Sequence, residues 1–585
     1  MIGIDLGTTN CSLAFTGPDG TVSLFAIPQL VNPGEVRAEP LLPSFLFIPG
    51  ASDFPPDSLE LPWGSGVPVV GELARKRGVE NASRLVSSAK SWLSHAGVDR
   101  EAPLLPLNAP EGVTRLSPVE VSRRYLEHLR HAFDHQGKQV LVTVPASFDA
   151  VARELTQKAA EQAGYRDVVL LEEPQAAFYA WIERHPDWRE RVSVGDLILV
   201  VDIGGGTTDF SLIAVTDRAG ELQLERVAVG EHILLGGDNI DLALARLMEQ
   251  KLAERKIKLD SLQLYQLWQQ CRAAKERLLA EGSGITEHPV TLLGRGTGLI
   301  GGTIKASLTL AELEQILMEG FFPATTSEDM PAKQRRTGLQ EIGLPYASDA
   351  AVTRHLAKFL RQPLQGQAGQ GHAGSHGLAR PTHVLFNGGV LRAGLVRDRI
   401  MAVLNSWLAA EGAAPVRPLM GEDLMHAVAR GAAYYGLSRQ GKGVRIRGGV
   451  PRTYYVGIES SMPAVPGMAV PVKALTVAPF GMEEGTAVDM PARQFSVVVG
   501  EPAEFRFFYS ATRKDDAAGE LIEDFGQELT EMSPVEVTLP GTSGEFVPVI
   551  LESIVTETGM LQLWCVARDG RRWKLEFNVR EKVKA

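Results

Sequence analysis

Two short segments carry residue types and spacings from which chemistry can be built. Asp5-Leu6-Gly7-Thr8-Thr9-Asn10 and Asp202-Ile203-Gly204-Gly205-Gly206-Thr207-Thr208-Asp209 begin about 197 residues apart. Each follows an apolar run and precedes another, at residues 12–15 in the first case and 210–215 in the second. That order reads as strand, turn, strand with glycine at the tip, not as strand, loop, helix. Glycine removes the Cβ and permits positive φ, so backbone N–H groups can approach a phosphate closely. The threonine hydroxyls add donors. An Asp ending each preceding strand sets a carboxylate where it can hold a divalent cation through water, as Mg2+ prefers. One such turn says little, because Gly-Gly-Thr hairpins are common. Two with the same offset from an Asp imply a duplicated α/β core that clamps a nucleotide phosphate chain from both sides.

Those loops need elements to hold them. Up to about residue 437 apolar strands and amphipathic helices are mixed. Val140–Val144 (VLVTV) reads as a buried strand, and residues 148–164 as a helix with apolar positions at Val151, Leu155, Ala159 and Ala163. Residues 168–171 form the next strand, which predicts a βαβ crossover. Leu197–Ile203 is a further apolar strand, running straight into the second glycine turn. Helices are predicted over 117–133, 240–254, 262–279, 310–320 and 352–360. Between 363 and 381 the chain becomes QGQAGQGHAGSHG, which reads as a surface loop, His372 and His376 included. Residues 438–450, with RQGKGVRIRGG, are basic and Gly-rich and read as a linker. From 451 to 585, short β-rich runs such as TYYVGI, QFSVVVG and LQLWCVAR are separated by Gly, Pro, Asp and Thr. They predict an antiparallel β-sandwich.

The overall balance of residues narrows the class. A chain of 585 residues carries a prior of about four compact units at ~150 residues each. Lys and Arg number 59 against 70 Asp and Glu, and a net charge of −11 argues against binding nucleic acid by general phosphate attraction. The short basic run Lys333-Gln334-Arg335-Arg336 reads as a solvated face. Gly296-Thr297-Gly298-Leu299-Ile300-Gly301 fits GxGxxG formally, but it lies between apolar runs at 290–293 and 304–308 like a hairpin tip, so a dinucleotide fingerprint is set aside. No window reaches about 18 uninterrupted apolar residues, so no membrane span is expected. Residues 1–5 leave no room for a signal peptide. Cys11, Cys271 and Cys565 lie too far apart in sequence to form a metal pair, a redox pair or a disulfide framework. A soluble protein of a reducing compartment, the cytoplasm, is expected.

Further segments make the pattern specific. Val144-Pro145-Ala146-Ser147-Phe148 with Arg153, Leu171-Glu172-Glu173-Pro174-Gln175-Ala176-Ala177, and Gly236-Gly237-Asp238-Asn239 with Asp241 follow in order. Leu385-Phe386-Asn387-Gly388-Gly389 with Arg392, and Ala427-Val428-Ala429-Arg430-Gly431-Ala432-Ala433, complete the set. Together with the two loops they resemble the DnaK-type (seventy-kilodalton heat-shock) chaperone family over residues 1–437, within the actin-like ATPase fold. The fold expected is thus α/β, a duplicated actin-like ATPase core followed by the β-sandwich. The resemblance implies ATP or ADP with Mg2+, and K+ as a further candidate cation. It implies that Lys90 contacts the γ-phosphate and attacking water, with Glu173, Thr207 and Asp209 in the hydrolytic site. Asp5 and Asp202 fall on the Mg2+ water shell. Gly7, Thr8, Thr9, Asn10, Gly204, Gly205, Gly206 and Thr207 cradle phosphates, while Lys275, Gly388, Gly389 and Arg392 serve the adenosine end. Pro145 and Arg153 match residues that relay nucleotide state to the second domain.

Some positions depart from the family pattern. The adenine-contact helix reads Cys271-Arg272-Ala273-Ala274-Lys275-Glu276, with its acidic and basic flanks exchanged. Val390 stands where a hydroxyl is usual, and Met425 where an Asp is usual. The β-rich tail resembles the family's peptide-binding sandwich through Tyr455-Val456-Gly457-Ile458-Glu459 and residues 546–579. No helical lid is expected after it, and Val444-Arg445-Ile446-Arg447 replaces a leucine-rich linker, still able to add as an edge strand. The expected function is an ATP-driven chaperone that binds unfolded polypeptide transiently, with a J-domain co-chaperone and an exchange factor as partners. An ATP-binding regulatory or exchange protein with little turnover is the alternative. A small-molecule kinase of actin fold is disfavoured by the Glu173-Pro174-Gln175 segment and the sandwich.

Overall fold

The computed structural model describes all residues except 96, 108, 219–220, 294–302, 333–342, 363, 365–371, 373, 375–376, 422, 442–445, 448–449, 451, 461–469, 511–512, 514, 524, 526–527, 533 and 579–585. The GxGxxG run, the basic run at 333–336, His376 and linker residues 444–445 lie outside the described residues. The chain divides into two compact units, Met1–Arg445 and Ile446–Ala585. The division falls within the segment read as a linker.

The first unit is built twice over. In its first lobe β1 (Ile2–Leu6), β2 (Asn10–Thr16), β3 (Val22–Leu24), β4 (Val140–Val144) and β5 (Val169–Glu172) lie in the order β5-β4-β1-β2-β3. In its second lobe β6 (Leu197–Ile203), β7 (Thr208–Arg218), β8 (Glu221–Val229), β9 (His383–Asn387) and β10 (Arg417–Leu419) lie in the order β10-β9-β6-β7-β8. In both, the central strand pairs antiparallel with the strand after its glycine turn and parallel with a strand that arrives much later. The turns are therefore hairpin tips, as their flanking apolar runs require. Central strands flanked on both sides are apolar throughout: every residue of β6 is buried.

Helices cover the sheets. α1 (Ala89–Leu93) is a single short turn that is wholly buried. α2 (Pro118–Ala132) starts where Ser117 accepts from the Glu120 amide. α3 (Ala150–Gln162) makes the β4-to-β5 crossover, with Asp149 accepting from the Ala152 amide and gripped by Arg100 through two bonds of 3.0 and 2.9 Å. α4 (Glu173–Arg184) begins directly after β5, and Pro174 in its first turn costs no hydrogen bond. In the second lobe α5 (Gly237–Glu254) follows the second glycine pair, and α6 (Ser261–Leu278) is capped by Asp260 and Gln263 reciprocally. α7 (Ala427–Arg439) returns to the first lobe, where a Cβ on Gly431 would collide with the Ala176 carbonyl of α4. The AVARGAA run is small because backbones meet there.

Two expectations are corrected. The helix expected over 310–320 is α-helical only over Leu310–Gln315 and finishes as a π-helical turn over Ile316–Phe321. Residues 322–344, without a counterpart in the family pattern and reading from sequence as an inserted surface excursion, start in the core: Phe322 is fully buried beside Phe321.

In the second unit β11 (Thr453–Glu459), β12 (Val472–Ala478), β13 (Thr486–Val499), β14 (Phe507–Ser510), β15 (Leu521–Ile522), β16 (Thr530–Glu531), β17 (Glu545–Val555), β18 (Met560–Ala567) and β19 (Arg572–Asn578) make two antiparallel sheets. Their orders are β15-β12-β11-β14-β16 and β13-β17-β18-β19. Val456, Leu475 and Phe507 of one sheet and Val497, Val549 and Leu563 of the other share one apolar core. Along β17 burial alternates residue by residue, the period of a strand with one face inward. Among the described residues no helix is long and apolar enough to cross a membrane.

Candidate functional site

A cleft of about 810 Å³ opens in the first unit. That is within the ~300–1,000 Å³ typical of sites that swallow a whole small ligand. Both glycine turns line it, through Gly7, Thr8, Thr9 and Asn10 on one side and Gly204, Gly205 and Thr207 on the other. Asp5, Lys90, Glu173, Asp202, Lys275, Gly388, Gly389 and Arg392 line it as well. Of the residues expected in the catalytic, metal, phosphate and adenosine sites, Gly206 and Asp209 do not line it. The turns approach so closely that a Cβ on Gly205 would collide with the Thr9 hydroxyl, and one on Gly206 would lie 2.7 Å from Thr8 Cγ2. Gly388, at φ +96°, could not carry a Cβ beside the Ile203 carbonyl. Bare backbone is what these positions need.

The charges are arranged around one lysine. Lys90, in α1, is buried, and its Nζ donates to Glu173 Oε1 at the start of α4. Burial alone would lower its pKa, but Glu173 and Asp5 outweigh that and leave it raised. The acids go the same way for a different reason. Burial and the neighbouring Glu173 push Asp5 up to about 7, against the pull of Lys90 and a 3.3 Å hydrogen bond from Thr143. Burial, with Glu173 again adding repulsion, holds Asp202 well above the usual carboxylate range. Glu173 is itself raised by burial despite Lys90. Asp209 is raised by burial to about 6, with the Ser147 hydroxyl resisting. Four acidic groups thus crowd about a single ammonium, and a cation would relieve them.

The donor set fits a hydrated cation and a phosphate chain. Thr9 Oγ1 and Asn387 Oδ1 are buried without a hydrogen-bond partner among the described residues, and both residues line the cleft. Asn387 Nδ2 donates to Asp202 Oδ2 at 2.7 Å, which fixes that carboxylate. Asp5 and Asp202 both line the cleft, and carboxylates so placed can hold an ion through water. At the other end, Arg272 is bound by Asp238 and, at 3.0 Å, by Asp241, while Lys275 lies 2.6 Å from Asp241. Val390 and Met425 line the same end. Arg153 is buried rather than solvated, donating to the Ala146 carbonyl at 2.8 Å and to Glu172 at 3.2 Å.

Sequence reasoning assigned no role to Asn387, Ser147 or His232. Asn387 sat inside a quoted motif and had a readable signal, a polar residue directly after the apolar run Val384-Leu385-Phe386. Ser147 and His232 are joined at 2.6 Å across 85 positions of chain, which no local pattern announces.

Two lobes of one strand order, with facing glycine turns and a carboxylate–lysine cluster in the cleft, define a duplicated α/β core. The Hsp70 protein family model matches residues 66–327. The chain is 33% identical over 292 residues to the chaperone HscA homolog of Colwellia psychrerythraea, 47% of this chain and 41% of that protein. It is 31% identical over 298 residues to the HscA homolog of Pseudomonas aeruginosa, 48% and 42% of the two chains. With the chaperone DnaK of Thermotoga petrophila it shares 29% over 296 residues, 50% and 42%. The shared stretch therefore spans less than half the length of these curated relatives. Over this stretch the chain is similar to the Hsp70/DnaK-type family. Members of that family are ATPases with an actin-like core that bind ATP or ADP with Mg2+.

Proposed function

We propose that this chain binds Mg-ATP in the cleft of its first unit, hydrolyses it, and couples the cycle to transient binding of unfolded polypeptide by its second unit. The observation that carries the reading is the pair of facing glycine turns around the Lys90–Glu173 pair. Gly7, Thr8, Thr9, Asn10, Gly204, Gly205 and Thr207 would hold the phosphates. Asp5 and Asp202 would hold Mg2+ through water, and the ion would neutralise charge on the phosphates. Lys90 would then stabilise charge developing on the γ-phosphate, with Glu173 holding the ammonium in place. Lys275, Gly388, Gly389 and Arg392 would serve the nucleoside end. We read the two sheets of the second unit as a sandwich that takes an extended apolar segment by backbone bonds and apolar pockets. The partners would be a J-domain co-chaperone and an exchange factor, in the cytoplasm.

A low-turnover regulatory protein is the second reading, favoured by one observation: Arg272 and Lys275 are engaged by Asp238 and Asp241 rather than free for a base. Single-turnover ATP hydrolysis by the full chain and by Lys90→Ala, with and without an extended apolar peptide, separates the two. The chaperone reading expects hydrolysis that peptide stimulates and the substitution abolishes. ATP binding with neither hydrolysis nor peptide response gives the second reading.

A further inference from the structure

Asp209 is the second residue of β7, buried and outside the lining of the cleft, and its carboxylate is held by side chains of the protein. Its Oδ1 accepts from the Ser147 hydroxyl. Ser147 Oγ lies 2.6 Å from His232 Nδ1, and His232 Nε2 lies 3.0 Å from Ser94 Oγ. Ser94 directly follows α1, the turn that carries Lys90, and Ser147 sits between β4 and α3 in the first lobe. Asp209 and His232, which follows β8, belong to the second. Successive links of this chain therefore cross from one lobe to the other and back.

Counting hydrogens gives the chain a direction. A hydroxyl offers one hydrogen and a neutral imidazole one N–H. With Asp209 ionised, every link is made in only one arrangement: Ser94 O–H to Nε2, Nδ1–H to Ser147 Oγ, and Ser147 O–H to Asp209. In the other tautomer Nδ1 and Asp209 compete for the single Ser147 hydrogen. The Ser91 carbonyl, 3.0 Å from Ser94 Oγ, competes only at the far end, where no carboxylate depends on it.

We propose that Ser147 and His232, steadied by Ser94, are positioning residues for Asp209, and that they fix its carboxylate only when the two lobes are closed. This rests on the Mg-ATP hydrolysis reading above. The charges facing His232 are Lys90 and Asp149, of opposite sign, and the Phe148 ring stands edge-on at 5.6 Å. Burial, helped by Lys90, lowers the imidazole to about 4, which keeps it in the neutral form the hydrogen count requires.

The test compares the full-length wild type with His232→Leu, His232→Asn and Ser147→Ala in single-turnover ATP hydrolysis, with ATP affinity measured in parallel. His232→Leu and Ser147→Ala should slow hydrolysis about tenfold while ATP affinity stays within about twofold, the split expected when a hydrogen bond to a charged group is lost without a binding contact. His232→Asn, whose amide can donate where Nδ1–H did, should recover most of the rate. Nitrogen-15 NMR of the wild-type imidazole should report the Nδ1–H tautomer. If His232→Leu folds poorly, the smaller Ser147→Ala change carries the kinetic comparison. Unchanged hydrolysis in the leucine and alanine variants, equal losses of rate and affinity, no recovery with asparagine, or the Nε2–H tautomer would each overturn the proposal. A wild type inert towards ATP would overturn the hydrolysis reading itself, and this proposal with it.

Discussion

On the proposed reading, the crowding of acids in the cleft should make Mg-nucleotide affinity depend on pH. Asp5 is pushed up to about 7 and Asp209 to about 6, and burial also raises Asp202 and Glu173. A hydrated Mg2+ needs an ionised carboxylate at Asp5, so binding must expel a proton wherever that group is protonated. With a pKa of about 7, Asp5 is roughly one-tenth ionised at pH 6 and roughly nine-tenths at pH 8. Affinity for Mg-ADP should therefore fall about tenfold between pH 8 and pH 6, ~1.4 kcal/mol. The nucleotide's own phosphates titrate too, so the comparison must be with Asp5→Asn, in which that contribution is unchanged. Calorimetry in two buffers of different ionisation enthalpy gives both the affinity and the protons released. Wild type should show the extra tenfold loss and the extra proton; the asparagine variant should bind weakly with a shallower slope. Identical slopes in the two proteins would refute the reasoning. The sign for stability is the reverse of the usual carboxylate case. Groups whose folded pKa is raised stabilise the fold fully below their unfolded values, and that stability is lost as pH rises through the folded ones. The nucleotide-free protein should melt progressively lower from about pH 4 to pH 7, and Mg-nucleotide should restore most of the loss at pH 7.

Two further substitutions follow from the geometry. Gly205→Ala puts a methyl group onto the Thr9 hydroxyl and should abolish the thermal stabilisation given by ATP while the circular dichroism spectrum keeps its native shape. Arg153→Ala takes a cation from Glu172, which is 1% exposed, although Arg226 still holds the other carboxylate oxygen. Urea unfolding should show a loss of about 2–3 kcal/mol, below the ~3–5 kcal/mol of a fully orphaned buried charge. A loss under about 0.5 kcal/mol would mean that this buried pair contributes no more than an exposed ion pair does.

How much of this was legible depended on range. The hairpin tips were readable because every cause is local: an apolar strand, an Asp at its end, glycines, and a second apolar strand. Val140–Val144 and Leu197–Ile203 were found to the residue because strands buried on both faces leave an unbroken apolar run. Lys90 was different. On its own it is one lysine on a short turn, and its burial follows from Glu173, 83 positions away, and from two further carboxylates. Only the family resemblance singled it out. Phe322 was misplaced because nothing in its neighbourhood says that the π-helical turn before it drives two successive phenylalanines inward. The Ser147–His232 contact escaped altogether, since Ser147 looks like a loop hydroxyl and His232 like a turn residue until the lobes come together.

That contact bears on why the cleft is built across two lobes at all. Lys90 and Glu173 come from the first lobe, Asp202 and Asp209 from the second, and Asp5 faces them from the first. Bringing the halves together without a ligand concentrates like charge in a place shielded from water, which the raised acids register. On the proposed reading, a hydrated cation on a phosphate chain would supply the missing charge of one sign, while the glycine turns and Lys90 would meet the phosphates. On that reading, the ligand that is to be hydrolysed would favour closure. The same closure completes the links from Ser94 through His232 and Ser147 to Asp209. Neutralising the cleft and orienting Asp209 would thus be one movement, and a variant that loosens the links should lose rate without losing the nucleotide.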